Sequence, residues 1–368
     1  PYQSPFEAFL IADHIPNATR RYTRRLVSPL RLTASLQISA ISLRAPSSLS
    51  SISTSTPMSN DVLLTSAGYD RTIRFWEAWS GSCSRTIHHS DSVNRLAISP
   101  DKRFLAAAGY SSVKLYDINS NDPNPIQSFN GHTANVTAVV FQAEGKWIAT
   151  GSEDGTVKIW DTRTSHVQRA FDHPSPVNDV VIHPNQGEIV SCDQAGSVKV
   201  WDLGENTCSH ELVPEEDVPI RSVTIASDGS SLVAGNNKGN CFVWKIRADQ
   251  EYEASEFTPI TKLPAHSRYI TKCILSPDTK HLATCSADTT IKIWSTHNYD
   301  FRLEKVLTGH QRWVWDAAFS ADSAYLVSAS SDHSARLWEL ASGDTVRQYN
   351  GHHKAAIAIA LNDVNLAS

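Results

Sequence analysis

The chain is predicted to be all-β, a seven-bladed β-propeller whose C-terminal strand completes the first blade. Three observations predict it. A turn followed by an alternating strand that ends in an aromatic residue occurs seven times. Those aromatics recur at the length of a four-stranded blade. The chain also begins and ends out of phase with its own repeat. Length alone, 368 residues, would suggest two or three domains, but a repeat fold places many residues in one ring.

The repeat is read first from its anchors. Ser66-Ala-Gly-Tyr-Asp70-Arg-Thr-Ile-Arg-Phe-Trp76 is one copy, and Gly151-Ser-Glu-Asp154-Gly-Thr-Val-Lys-Ile-Trp160 is another. The others end at Tyr116, Trp201, Trp244, Trp294 and Trp338, so the steps are 40, 44, 41, 43, 50 and 44 residues. The 50-residue step holds an acidic insertion, Ala248–Phe257, read as a longer loop on one face. A second element stands 28 residues ahead of four anchors: Gly131-His132, Asp172-His173, Ala265-His266 and Gly309-His310. Each histidine leads into an alternating apolar strand such as Val136-Thr-Ala-Val-Val-Phe141. The phase predicts the closure. The chain enters at the second strand of a blade (Asp61–Ser66) and leaves after an extra first strand (Ala355–Leu361) behind Gly351-His352. Strands balance only if that last strand completes the first blade, which also removes exposed sheet edges.

Composition bounds the rest. Apolar residues make up 40% and charged residues 19%, with a net charge of −5. No run approaches the roughly 20 apolar residues that span a bilayer. Six cysteines show no paired spacing for zinc or a disulfide framework and read as buried, reduced thiols of a cytosolic protein. No phosphate-cradling loop, H-E-x-x-H or paired-carboxylate motif stands out, so no cofactor and no metal is expected. The lysines ahead of several anchors (Lys114, Lys158, Lys199, Lys292) read as the solvent side of half-exposed strands, not a nucleic-acid stripe.

Residues 1–57 differ in kind. They hold six arginines, no lysine and two acids, for a net charge of +4 that leaves −9 for the remainder. Rich in serine, they cannot bury enough apolar surface to offset ordering entropy and are read as a disordered or non-native extension. An Arg-rich, Ser-rich, acid-poor stretch also reads as a mitochondrial transit peptide. The single methionine, Met58, stands just ahead of the first strand, and the native protein is expected to begin there. The propeller is assigned to 58–368.

The joint histidine–aspartate–aromatic pattern resembles the WD-repeat family. That resemblance implies a structural network in three blades: His132, Ser152, Asp154 and Trp160; His266, Ser286, Asp288 and Trp294; His310, Ser330, Asp332 and Trp338. The turn aspartate would orient the histidine, the histidine would bond the serine, and the serine the indole N–H. Repetition at one spacing excludes a catalytic triad. Other blades depart: Tyr116 replaces tryptophan, Ala195 and Lys238 stand where aspartate is expected, and Gly68 stands where serine is expected.

Copy-specific residues go further. Ser66–Ala78, Val181-Ile-His-Pro-Asn-Gln-Gly-Glu188, Asp202-Leu-Gly-Glu-Asn206 and Gly309-His-Gln-Arg-Trp-Val-Trp-Asp316, with Phe319–Leu326, are not generic. From Met58 on they resemble the G-protein-beta-like WD-repeat subunit of the target-of-rapamycin (TOR) kinase complexes. The resemblance implies a non-catalytic subunit docked on the TOR kinase domain in complexes one and two. Its partners would be a TOR-type protein kinase and the other complex subunits, with no nucleic acid and no membrane insertion. It would be cytoplasmic, with recruitment to endomembranes through the complex. The loops entering each first strand and the turns before the aspartates meet on one rim. Tyr69, Tyr110, Asn135, Glu153, Tyr269, Arg312 and Trp313 are the expected contact residues there, with Trp315 pointing elsewhere. The alternative scaffold role is a ubiquitin-ligase substrate receptor, which would bring a flanking helical domain. A heterotrimeric G-protein β subunit would bring a coiled coil, and no heptads precede Asp61.

Overall fold

The computed structural model describes residues 62–247 and 255–363. The extension 1–57 and most of the acidic insertion lie outside the described residues.

Seven antiparallel four-stranded blades follow one another in the chain. Blade 1 runs, from innermost to outermost strand, Ala356–Asn362, Leu63–Gly68, Thr72–Glu77 and Cys83–His88. The ring therefore closes as expected, with both strand bounds one to two residues later than the sequence pattern placed them. Leu64 pairs with Leu361 and Ser66 with Ile359 across the whole length of the chain. Blades 2 and 3 share one long strand, Gln127–Phe141, whose first half is the outer edge of blade 2 and whose second half is the innermost strand of blade 3. The innermost strands of blades 4 to 7 are Val177–Ile182, Ile220–Ile225, Ile270–Leu275 and Val314–Phe319.

Burial is greatest at the second strand of a blade and falls toward its outer edge. The second strand of blade 4, Glu188–Asp193, is buried at every position, whereas the outermost strand of blade 3, Val167–Asp172, buries only Phe171. The apolar side chains gather at the seven blade–blade interfaces. Strand alternation explains how one blade serves two of them, because successive side chains point to opposite faces. Ile148 and Trp160 of blade 3 pack on blade 2, while Ala149, Val157 and Ile159 pack on blade 4. Leu64 and Trp76 join Ala356 and Ile359 against blade 7, so the chain ends are sewn in by packing as well as pairing. Cys192, Cys241, Cys273 and Cys285 are buried in this core, and Cys83 and Cys208 are exposed. All six are free thiols.

The candidate interaction rim

The rim turns are held by a buried relay. In blade 3, the Trp160 indole N–H donates to Thr150 Oγ1 at 2.8 Å, and Thr150 lies 2.7 Å from His132 Nε2. His132 Nδ1 lies 2.8 Å from the Asp154 carboxylate. A neutral imidazole satisfies every partner: Nδ1–H donates to Asp154, and Nε2 accepts the threonine O–H. Burial pushes the His132 imidazole below its usual range although Asp154 opposes it, consistent with that neutral form. Gly131 sits over the indole at φ 150°, and a Cβ there would come within 3.2 Å of the ring, a close approach that favours glycine.

The relay hydroxyl thus corrects the sequence expectation. Ser152, Ser286 and Ser330 do not meet the histidines. Ser152 instead bonds Asn135 O at 2.9 Å and accepts the Asp154 N–H. Ser286 and Ser330 likewise accept the N–H of Asp288 and Asp332. They brace the turn. The relay residue stands two positions earlier, as Thr150, Thr284 and Ser328. The reason is distance: Trp160 pairs across the sheet with Ile148, and Ser152 is four residues, roughly 13 Å, further along. His132, Asp154, Trp160, His266, Asp288, Trp294, His310, Asp332 and Trp338 do hold the assigned places.

Two blades read as incomplete are complete. In blade 1, Ser66 takes the Trp76 N–H and lies 2.8 Å from His352, which meets Asp70; Gly68 was the wrong position to inspect. In blade 4, Asp193 does the work sought at Ala195. It meets His173 through one carboxylate oxygen and caps the turn N–H groups of Ala195 and Ser197 with the other. Blades 2 and 5 lack the hydroxyl, having Ala106 and Ala234 at that position. Blade 5 replaces the histidine with Glu215, which Asn236, Lys238 and Lys262 hold.

Above the relays lies the rim. Tyr69, Asn135, Glu153, Tyr269 and Trp313 line one cavity of about 650 Å³ at the mouth of the central channel. Asn135 donates to Glu153 at 2.8 Å. Arg312 lines an adjoining cleft of about 480 Å³ between blades 6 and 7, which Trp313 shares. Tyr110, 56% exposed, lines neither and faces Asn135 across the sheet. Trp315 corrects a second expectation. It borders both cavities beside Trp313, with ring centroids 5.5 Å apart. Trp313 precedes the strand and Trp315 sits in a bulge at its start, where regular alternation does not hold.

The channel itself carries charges the sequence reading missed. Arg95, from blade 2, meets Asp316 of blade 7 at 2.9 Å and Asp179 of blade 4 at 3.3 Å. Lys272 of blade 6 meets Asp179 at 2.9 Å, and Ser222 of blade 5 donates to the same carboxylate. Burial alone would raise the Asp179 carboxyl; Lys272 and Arg95 outweigh it and hold the group below the usual range. Burial would likewise lower Arg95, but the two carboxylates leave it raised. Two cations and two anions therefore neutralise one another and tie four blades across the axis. No cluster suited to a metal ion occurs among the described residues.

Seven four-stranded blades, the Asp–His–hydroxyl–Trp relay and the C-terminal strand closure define a WD-repeat propeller. The model of the "WD domain, G-beta repeat" family matches residues 41–77, 81–117, 123–161, 165–202, 257–295 and 301–339, more than half the chain. It passes over 203–256, most of blade 5, where the relay is replaced. The chain is 67% identical over 308 residues to the "Target of rapamycin complex subunit wat1" of Schizosaccharomyces pombe, covering 83% of this chain and 98% of that one. It is 60% identical to the Saccharomyces cerevisiae "Target of rapamycin complex subunit LST8" (82% and 99% covered) and 46% identical to the Bos taurus protein of that name (83% and 96%). The chain belongs to the LST8/wat1 family of target of rapamycin complex subunits.

Proposed function

We propose that this propeller is a non-catalytic scaffold subunit of TOR complexes one and two. In this reading it docks through its rim on the kinase domain of a TOR-type protein kinase, stabilises that domain and supports TOR signalling in growth control. It acts in the cytoplasm and reaches endomembranes through the complex. The observation that carries the proposal is the end-to-end likeness to relatives named as TOR complex subunits, which spans the whole propeller. The rim supports it. Exposed aromatics beside arginine are the usual anchors of a protein interface, and Tyr69, Tyr110 and Trp313 are among the few large apolar side chains left exposed. A scaffold also accounts for the polar groups. The relay hydroxyls and histidines are buried and each serves its own blade, and the channel charges pair with one another.

The test is the pair Trp313→Ala with Tyr69→Ala, assayed by co-purification of the TOR kinase from native lysate. Kinase recovery is expected to fall at least about tenfold, equivalent to about 1.4 kcal/mol, with melting unchanged. Unfolding would show these rings to be core. Normal recovery would move the contact to another face.

A further inference from the structure

The collar of the channel separates residues the fold uses from residues it does not. In blades 3 to 7 the innermost strand has a bulge near its start, centred on Thr137, Asn178, Arg221, Thr271 and Trp315. A short polar residue at this position satisfies the next blade. Thr137 donates to Val177 O, Asn178 to Ile220 O and Thr271 to Val314 O, and Asn94 of blade 2 donates to Val136 O. Arg221, Trp315 and Ile357, which holds the bulge of blade 1, break the series. Arg221 donates to Asn237 instead, and Trp315 donates to Ser331 at 2.6 Å and turns its ring toward the rim. The two polar exceptions, Arg221 and Trp315, each bond within their own blade and flank one region, blades 5 to 7.

That region carries a run of three rings. Tyr269 meets Trp313 edge-on at 5.1 Å, and Trp313 leans on Trp315. Arg268 and Arg312 stand beside them at the cleft, exposed, and among the described residues neither guanidinium makes a hydrogen bond or ion pair. Among the described residues, exposed arginines without a partner occur elsewhere too, as at Arg71 and Arg302, but Arg268 and Arg312 are the pair that borders a cleft lined by two indoles. Gln311 and Ser331 of the cleft are engaged, while the Thr289 hydroxyl has no partner among the described residues. Gln311 folds back on Gly309 O, and Ser331 is taken by the Trp315 indole. The cleft thus offers two indole surfaces and two unpaired guanidinium forks.

We infer that the cleft between blades 6 and 7 receives an acidic, extended segment of the partner polypeptide. One apolar side chain lies against Trp313 and Trp315, and flanking carboxylates sit on Arg268 and Arg312. The inference rests on the reading of this rim as the docking face and specifies the chemistry that docks. Guanidinium forks match carboxylates in bidentate geometry. They repel cations, so the aromatic run is not a cage for an ammonium group. A continuous polyanion such as a nucleic acid fits less well, because the same rim exposes Glu153, Glu216 and Asp217, and the chain as a whole is acidic.

The experiment uses the full chain and fluorescent octapeptides with a central leucine, flanked by glutamates, by glutamines or by lysines, and a single-stranded oligothymidine of similar length. The glutamate peptide is expected to bind at least about tenfold tighter than the glutamine peptide and to weaken as salt rises from about 0.05 to 0.5 M. Arg268→Glu with Arg312→Glu abolishes that preference and favours the lysine peptide. Arg268→Lys with Arg312→Lys retains most of it, and melting is unchanged in both because the side chains are exposed. Equal binding of the glutamate and glutamine peptides, no binding of the glutamate peptide at about 1 mM, or tighter binding of the oligothymidine overturns the inference. Kinase co-purification separates the two readings. Recovery lost in the Trp313/Tyr69 variant but untouched by the double charge reversal sinks the acidic-segment inference and leaves the docking face standing. Kinase absent even with the unaltered chain sinks the docking proposal, while the peptide series still decides the chemistry of the cleft.

Discussion

Blades 2 and 3 share a strand, yet they are held differently. Blade 3 has the whole relay: Trp160, Thr150, His132 and Asp154. Blade 2 has Tyr116 in place of the indole and Ala106 in place of the hydroxyl. Both blades are nonetheless packed to near-zero exposure along their second strands. The relay is therefore not the condition for a blade to form. Removing donor and acceptor together is close to neutral, whereas removing one leaves a buried orphan that costs about 1–3 kcal/mol. Blade 2 lacks both the indole N–H and its acceptor, and apolar contact with both neighbours carries it. Blade 5 follows another route, with a carboxylate and two lysines where the others use an imidazole.

The largest effect is expected where the relay and the ring closure coincide. Deleting residues 350–368 removes His352 from the blade 1 relay and takes away its innermost strand. It also strips Ala356 and Ile359 from the interface with blade 7 and Ala358 and Ala360 from that with blade 2. The edge of Leu63–Gly68 is left unpaired, two blade faces are uncovered, and soluble yield should collapse. A soluble truncated protein that melts like the full chain would place blade 1 beside blade 2, as a blade that stands on the packing of its remaining strands.

Within blade 3 the relay can be broken at one atom. Thr150→Val keeps the shape and leaves the Trp160 N–H and His132 Nε2 without their partner. Two orphans at about 1–3 kcal/mol each predict a loss of about 2–6 kcal/mol by chemical denaturation. Ser152→Ala, which frees only a turn brace, should cost about 1 kcal/mol. The reverse ranking would return the relay to Ser152.

What was legible in the sequence follows the same division. Blade number, phase and closure were legible because period and alternation are set by backbone geometry. The histidine, aspartate and tryptophan positions were legible because they are rare residues at fixed spacing. The relay hydroxyl was not: Thr150 and Ser152 lie on the same face of one strand, and only the reach of the indole tells them apart. Asp193 was passed over because it merges the turn cap and the relay partner two residues before Ala195. The channel network did leave a signal that went unused. Arg95, Asp179, Lys272 and Asp316 each stand six residues after a blade histidine, as a charge inside an otherwise apolar strand. Which charge meets which depends on the ring, and no local pattern contains that.

Acid sharpens the contrast between relay and packing. Burial alone would raise the Asp154 carboxyl, but bonds from Thr156, the Thr133 N–H and His132 outweigh it and hold the group down to about 2, from 3.8. A depressed carboxyl contributes stability that is present above about pH 4 and lost as pH falls toward about 2. The His132 imidazole is also depressed, so below about pH 6.5 the unfolded chain takes up the proton first and stability declines there too. Melting curves of the native chain and Asp154→Asn between about pH 7 and 3 test this. The variant should be less stable at neutral pH and should lose less on going below about pH 4. Parallel curves in that range would show that Asp154 carries none of the acid sensitivity.

The smallest effect should come from adding to blade 2 what it lacks. His89 stands where the relay histidine would, and its Nε2 is buried without a hydrogen-bond partner. Burial pushes the imidazole below its usual range, so the orphan atom belongs to a neutral ring. Ala106 occupies the relay position, ten residues before the anchor, as Thr150 does before Trp160. Ala106→Ser adds one oxygen at that place, with no indole to compete for it. A net hydrogen bond of this kind is worth about 0.5–1.5 kcal/mol, and some of that is offset by fitting the extra atom into a fully buried site. A gain of up to about 1 kcal/mol in chemical denaturation is expected. His89→Phe should erase the gain if the new hydroxyl bonds that ring. If Ala106→Ser stabilises equally in the His89→Phe background, the hydroxyl has found another partner, and blade 2 has lost the relay geometry as well as its residues.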